Sequence, residues 1–71
     1  MRIKTSKLKI GDYSLKIIDD EIIIRRGERV LSISYRGGIH FVDDSLLHQS
    51  DSYICETEED LIELIKQLCK N

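Results

Sequence analysis

Residues 24–38 read I-R-R-G-E-R-V-L-S-I-S-Y-R-G-G. Two arginine–glycine clusters flank a short apolar run, and whether they grip nucleic acid or only turn the chain is settled by register. Side chains in a strand alternate between two faces, so a one-residue slip inverts every one of them. With Gly27-Glu28 as a two-residue loop, Ile24 faces Leu31 and Ile22 faces Ile33, all on one side. The glycines are then turn residues and the arginines flank strand ends. An Arg-Gly-rich binding segment would be disordered and repetitive, and this one is neither.

The same parity extends outward. Asp19-Asp20 as a two-residue loop pairs Ile17 with Ile22 and Leu15 with Ile24. Gly11-Asp12, with glycine first as a type II′ turn favours, pairs Ile10 with Tyr13 and Leu8 with Leu15. A two-residue Gly37-Gly38 loop would set Tyr35 against His40 and mix the faces. A three-residue loop, Arg36-Gly37-Gly38, sets Tyr35 against Ile39 and Ile33 against Phe41, with Gly38 in the left-handed position. The expected strands are 6–10, 13–18, 21–26, 29–35 and 39–42, in a meander occupying 3–42. Their inner face carries Leu8, Ile10, Tyr13, Leu15, Ile17, Ile22, Ile24, Leu31, Ile33, Tyr35, Ile39 and Phe41. Ile3 has the wrong parity, which calls for a bulge near Lys4–Ser6 or a separate piece.

An apolar sheet face needs a cover. Thr57 is a good helix N-cap, followed by Glu58, Glu59 and Asp60 where the dipole favours acids. Leu61, Ile62, Leu64, Ile65, Leu68 and Cys69 then recur on one stripe. The expected fold class is α+β: a five-stranded antiparallel β-meander covered on one face by a single C-terminal amphipathic helix. Residues 43–52 form a long polar loop with Leu46-Leu47 at its middle, and 53–70 hold a short extended piece and the helix. The strand-rich sheet and the helix led by Thr57-Glu58-Glu59 resemble, in topology and one helix cap, the small sheet-plus-helix DNA-binding domains at the start of some integrases. The aromatic and basic pattern of those domains is missing, so no membership follows.

Seventy-one residues make one small domain, 41% hydrophobic and 34% charged, too apolar for disorder. The longest apolar run is three residues, Ile22-Ile23-Ile24, so no membrane span is expected. The start of the chain lacks the apolar core of a signal peptide. Two cysteines are too few for a disulfide scaffold, and Cys55 and Cys69 lie at opposite ends of the helix, so free thiols and a cytoplasmic location are expected. The net charge of −2 hides a split: residues 1–36 are basic on balance and residues 37–71 acidic. Such a split can mean a basic binding face, or two halves that attract each other.

Chemistry is sparse. His40 and His48 near Asp43, Asp44 and Asp51 lack any tight metal-ligand spacing. Cys55 with His40 could pair nucleophile and base, but a cysteine at an apolar strand end reads more simply as a small core residue. Asp19-Asp20-Glu21 reads as a solvated turn. Nucleotide-binding glycine patterns are absent. No catalytic residue, metal or cofactor is expected.

The outer face says more. Parity places Lys7, Lys9, Lys16, Arg25 and Arg36 there, with Arg26 and Arg29 near one end, and Ser14, Ser32 and Ser34 between. With Tyr13, Tyr35 and Phe41 all inward, this basic stripe offers phosphate attraction without stacking. The same face holds Ile18, Ile23, Val30 and Val42, an apolar centre inside a charged rim. The leading expectation is a non-enzymatic protein-interaction module, an inhibitor or adaptor that docks on a macromolecule through Leu46, Leu47, Ile23 and Val30. A phage-type or mobile-element inhibitor of a nucleic-acid-processing enzyme is one concrete version. The alternative is nucleic-acid binding through Lys7, Lys9, Lys16, Arg25, Arg26, Arg29 and Arg36. Self-association is open in either case.

Overall fold

Alternating apolar residues joined by turns tight enough to reverse the chain must pair as neighbours, and they do. The computed structural model describes residues 2–45 and 52–70. Its strands are β1 (Ser14–Ile18), β2 (Glu21–Arg26), β3 (Arg29–Arg36), β4 (Ile39–Asp44) and β5 (Tyr53–Cys55), followed by helix α1 (Glu58–Leu68). All pairs are antiparallel and the strand order is β1-β2-β3-β4-β5, so the fold is an α+β meander with one C-terminal helix.

Around the central hairpins the register matches parity. Leu15 faces Ile24 and Ile17 faces Ile22. Ile24 faces Leu31 and Ile22 faces Ile33. Asp19 and Asp20 both take positive φ (50° and 65°), the backbone of a type I′ turn, which Asp tolerates better than most residues.

The third hairpin overturns an expectation. β3 runs through Arg36, and the loop is Gly37-Gly38 alone, with φ of 59° and 81°. Both positions lie in the left-handed region, as a two-residue type I′ loop demands and as two glycines permit. Tyr35 therefore faces His40 and Ile33 faces Val42. The whole of β4 is inverted relative to the parity argument: His40, Val42 and Asp44 are buried, while Ile39 and Phe41 turn outward.

The expected strand at 6–10 is a 3₁₀ turn, Thr5–Leu8, anchored by the buried Leu8. Pairing those residues with β1 would have set Lys7 against Lys16, an unfavourable like-charge opposition. The Gly11-Asp12 turn itself survives, closed by the Tyr13 N–H on the Ile10 carbonyl at 3.1 Å. The fifth strand is instead Tyr53–Cys55, added beside β4. Ile3 is a separate piece: buried in an N-terminal arm, with its N–H donating to His40 Nε2 at 3.1 Å.

The core gathers Ile3, Leu8, Ile22, Ile24, Leu31, Ile33, Val42 and Cys55 with Leu61, Ile65 and Cys69 of α1. The helix begins where expected, the Asp60 N–H donating to Thr57 Oγ1 at 3.0 Å. Ile62, Leu64 and Leu68 are half-buried against the same core. Ile17 points to the inner side but remains 50% exposed, at a corner that the helix does not reach.

Candidate functional site

The inversion of β4 rebuilds the outer face. One row across the sheet now reads Ile54, Phe41, Ser34, Glu21, Ile18, and the next reads Asp43, Ser32, Ile23, Lys16. Val30 and Ile39 lie beside them on the same side. Ile54 is 63% exposed and Ile18 is 52% exposed; Ile23, Val30, Ile39 and Phe41 are half-buried. The Arg36 guanidinium sits 4.8 Å from the centre of the Phe41 ring, a cation–π arrangement that holds the ring's surroundings in place. No strand or helix among the described residues covers this face, because α1 and the N-terminal arm both lie on the other.

Val42, expected here, belongs to the core. Ile23, Val30 and Ile18 are where parity put them. Leu46 and Leu47 lie outside the described residues. Ile39, Phe41 and Ile54 are members of the face that sequence reasoning missed. For Ile54 the signal was partial: Tyr53–Cys55 reads as extended, but the register that sets Ile54 opposite Phe41 comes from the pairing with β4.

The basic stripe does not assemble. Lys7 sits on the 3₁₀ turn and pairs with Glu58 at 3.0 Å, holding that carboxyl below its usual range. Arg26 points to the helix side, 3.3 Å from Asp12 and over the Tyr13 ring. Arg29 donates to the buried Asp44 at 2.8 Å, and this bond raises its own pKa. Lys9 is exposed beyond the turn, off the sheet. Only Lys16, Arg25 and Arg36 remain on the outer face, interrupted by Glu21 and Asp43. Asp43 in turn accepts from the Ser52 hydroxyl.

The residues with chemical potential meet on the buried side. His40 and Cys55 are direct cross-strand partners, each about 3% exposed. Burial lowers the imidazole pKa and raises that of the thiol. Both shifts favour neutral groups, the reverse of a thiolate–imidazolium nucleophile. Since His40 Nε2 accepts from the Ile3 N–H, that nitrogen carries no proton, and the ring serves as a latch for the arm. Cys69 is likewise buried with its pKa raised by burial, and both thiols are free. Among the described residues no group of three His, Cys, Asp or Glu side chains is placed to hold a metal, and no helix is long and apolar enough to cross a membrane.

A cleft of about 590 Å³ opens at the uncovered corner, lined by Arg2, Ile3, Lys4, Thr5, Ile17, Asp20 and Tyr35. Arg2 fixes one wall by donating to the Asp20 carbonyl at 3.0 Å.

The chain matches no protein-family model, and comparison with curated proteins and with solved structures gives no significant match.

Proposed function

We propose that this is a non-enzymatic protein-interaction module whose working surface is the outer face of the sheet. The observation that carries the reading is the uncovered apolar group Ile23, Val30, Ile39, Phe41 and Ile54, bordered by Lys16, Arg25 and Arg36. A desolvated aromatic centre with a polar rim is the anatomy of a protein interface, and Phe41 braced by Arg36 is its natural anchor. The rim cations favour a partner that surrounds an apolar contact with acidic groups. An inhibitor or adaptor role fits a domain that places His40 and Cys55, a chemically suggestive pair, inside the core.

Nucleic-acid binding has less support. Phe41 does supply an outward aromatic, but Arg36 already sits over its ring, and Lys7, Arg26 and Arg29 are committed to carboxylates elsewhere.

Phe41→Asp and Ile54→Asp test the reading in pull-downs from the native host, analysed by mass spectrometry against wild type and a Lys9→Glu control. A partner retained by wild type and the control but lost by both face variants, with unchanged melts, is expected. Partners retained equally by all four proteins count against the outer face.

A further inference from the structure

The first strand of the sheet has an open side. In a two-residue hairpin the residues flanking the loop form a hydrogen-bonded pair, and such pairs alternate with non-bonded ones along the ladder. Ile18 and Glu21 flank Asp19-Asp20, so Ser14, Lys16 and Ile18 turn their main-chain groups toward β2. Leu15 and Ile17 turn theirs away, and β1 is the first strand of the order, with no neighbour beyond it among the described residues. Two N–H donors and two carbonyl acceptors therefore line this edge.

Exposed edges are usually blunted by prolines, bulges or a covering element. Among the described residues β1 has none of these. Its single gatekeeper is Lys16, and beside it Ile17 and Ile18 are 50% and 52% exposed on opposite faces. Ile17 also lines the corner cleft, together with Arg2, Lys4 and Asp20.

We propose that the β1 edge is a strand-addition site for an extended acidic–aliphatic segment of a partner protein. The segment places a carboxylate opposite Lys16 and aliphatic side chains opposite Ile17 and Ile18. Main-chain bonds to Leu15 and Ile17 supply affinity, and the side chains supply selectivity. The side chain opposite Ile17 projects to the side of the cleft, and the one opposite Ile18 lies beside Ile18 on the outer face. A second copy is a poor occupant: the antiparallel register that overlaps all five residues opposes Lys16 to Lys16. At the cleft the two cations Arg2 and Lys4 outnumber the one carboxylate, Asp20, which likewise favours an acidic segment. The site is separate from the Phe41 surface and does not depend on it.

The experiment is a titration of the full isotope-labelled chain, followed through its backbone amides, with two capped peptides, Val-Val-Glu-Val-Thr and Val-Val-Lys-Val-Thr. The expected result is movement and exchange protection of the Leu15 and Ile17 amides, with the glutamate peptide favoured. Lys16→Glu should reverse that preference by about tenfold, since attraction is exchanged for repulsion. In a chemically synthesised chain, N-methylation at Ile17 removes an outward donor and spares the hairpin bonds; it should abolish binding with an unchanged melt. The proposal is overturned if neither peptide moves those amides at millimolar concentration, or if Lys16→Glu leaves the preference unaltered. It is also overturned if the chain dimerises through Leu15 and Ile17 without peptide. Shifts confined to Phe41 and Ile54 would overturn it while leaving the outer-face reading intact.

Discussion

His40 shows how a single side chain can decide a register. A buried imidazole is tolerable only if its polar atoms are answered, and the Ile3 N–H answers one of them. That bond requires the neutral ring, and burial favours the same form. An unfolded histidine takes up its proton near pH 6.5, whereas the folded one resists until lower pH. Below about pH 6.5 the unfolded state therefore binds more protons, and stability falls as pH drops toward the folded value. Urea melts at pH 7.5 and 5.5 should show wild type losing stability at the lower pH. His40→Gln, which retains an acceptor but does not titrate, should lose little over that interval. Equal losses in the two proteins would falsify the latch. The Lys7–Glu58 pair acts in a lower window, since a depressed carboxyl contributes above its ordinary value near 4.5 and loses that contribution as pH falls through its folded one. Arg29 and Asp44 supply a second residue-scale test. The Asp44 carboxylate is almost wholly buried, so Arg29→Met should cost roughly 3 kcal/mol, as expected for breaking a buried pair. In thermal melts the double variant Arg29→Met, Asp44→Leu should recover most of that loss; no recovery would mean that the charge pairing is not the cause.

Among the elements, β4 separates two architectures that the sequence leaves close together. Val42→Asp should prevent folding, because it buries an unpaired charge at a site with no exposure. Phe41→Asp should leave a folded chain by circular dichroism. The opposite pair of results would restore the three-residue loop. Leu31→Ala or Ile33→Ala should each cost about 2–5 kcal/mol in urea melts, and a loss below about 0.5 kcal/mol for both would contradict the shared inner face. Much of this fold was legible. The β1–β2 and β2–β3 registers follow from parity because Asp19-Asp20 and Gly27-Glu28 fit one loop length and each strand sets two apolar residues on the inner face against one (Ile18, Ile23 or Val30) on the outer. The helix was legible from Thr57, its acidic first turn and its stripe. The β4 register was not, because Ile39 and Phe41 on one face compete with His40 and Val42 on the other, and paired glycines fit either loop. The arm's donor, 37 residues away in sequence, and the Arg29–Asp44 pair both answer polar groups on the face that is buried. The Lys-Leu-Lys-Ile alternation at 7–10 imitates a strand, yet Leu8 alone anchors it. Both features reshape the outer surface, which gains Phe41 and loses Lys7 relative to the parity pattern.

At the scale of the whole molecule, the division into a basic first half and an acidic second half is partly spent internally. Lys7 reaches Glu58 across 51 positions, and Arg29 reaches Asp44 across 15. Each joins the basic half to the acidic one: the first docks the start of α1 on the N-terminal 3₁₀ turn, and the second ties β3 to β4. What looks in sequence like a binding stripe is thus partly the means by which the molecule closes. A phosphate grip needs several cations on one continuous track, because affinity grows with the number of phosphates neutralised. Here Lys16, Arg25 and Arg36 remain on the outer face, separated by Glu21, Ser32 and Ser34, in a chain whose net charge is −2. A gel shift at low salt should therefore show no retention of single-stranded or duplex DNA or RNA by the wild type. If a band does shift, its response to Lys16→Glu, Arg25→Glu and Lys7→Glu locates the cause. Loss with the first two alone would establish the outer face as a phosphate surface and displace the protein-docking reading. A loss with Lys7→Glu accompanied by a lower melting temperature would reflect an opened structure, since that change sets two carboxylates against each other at the start of α1.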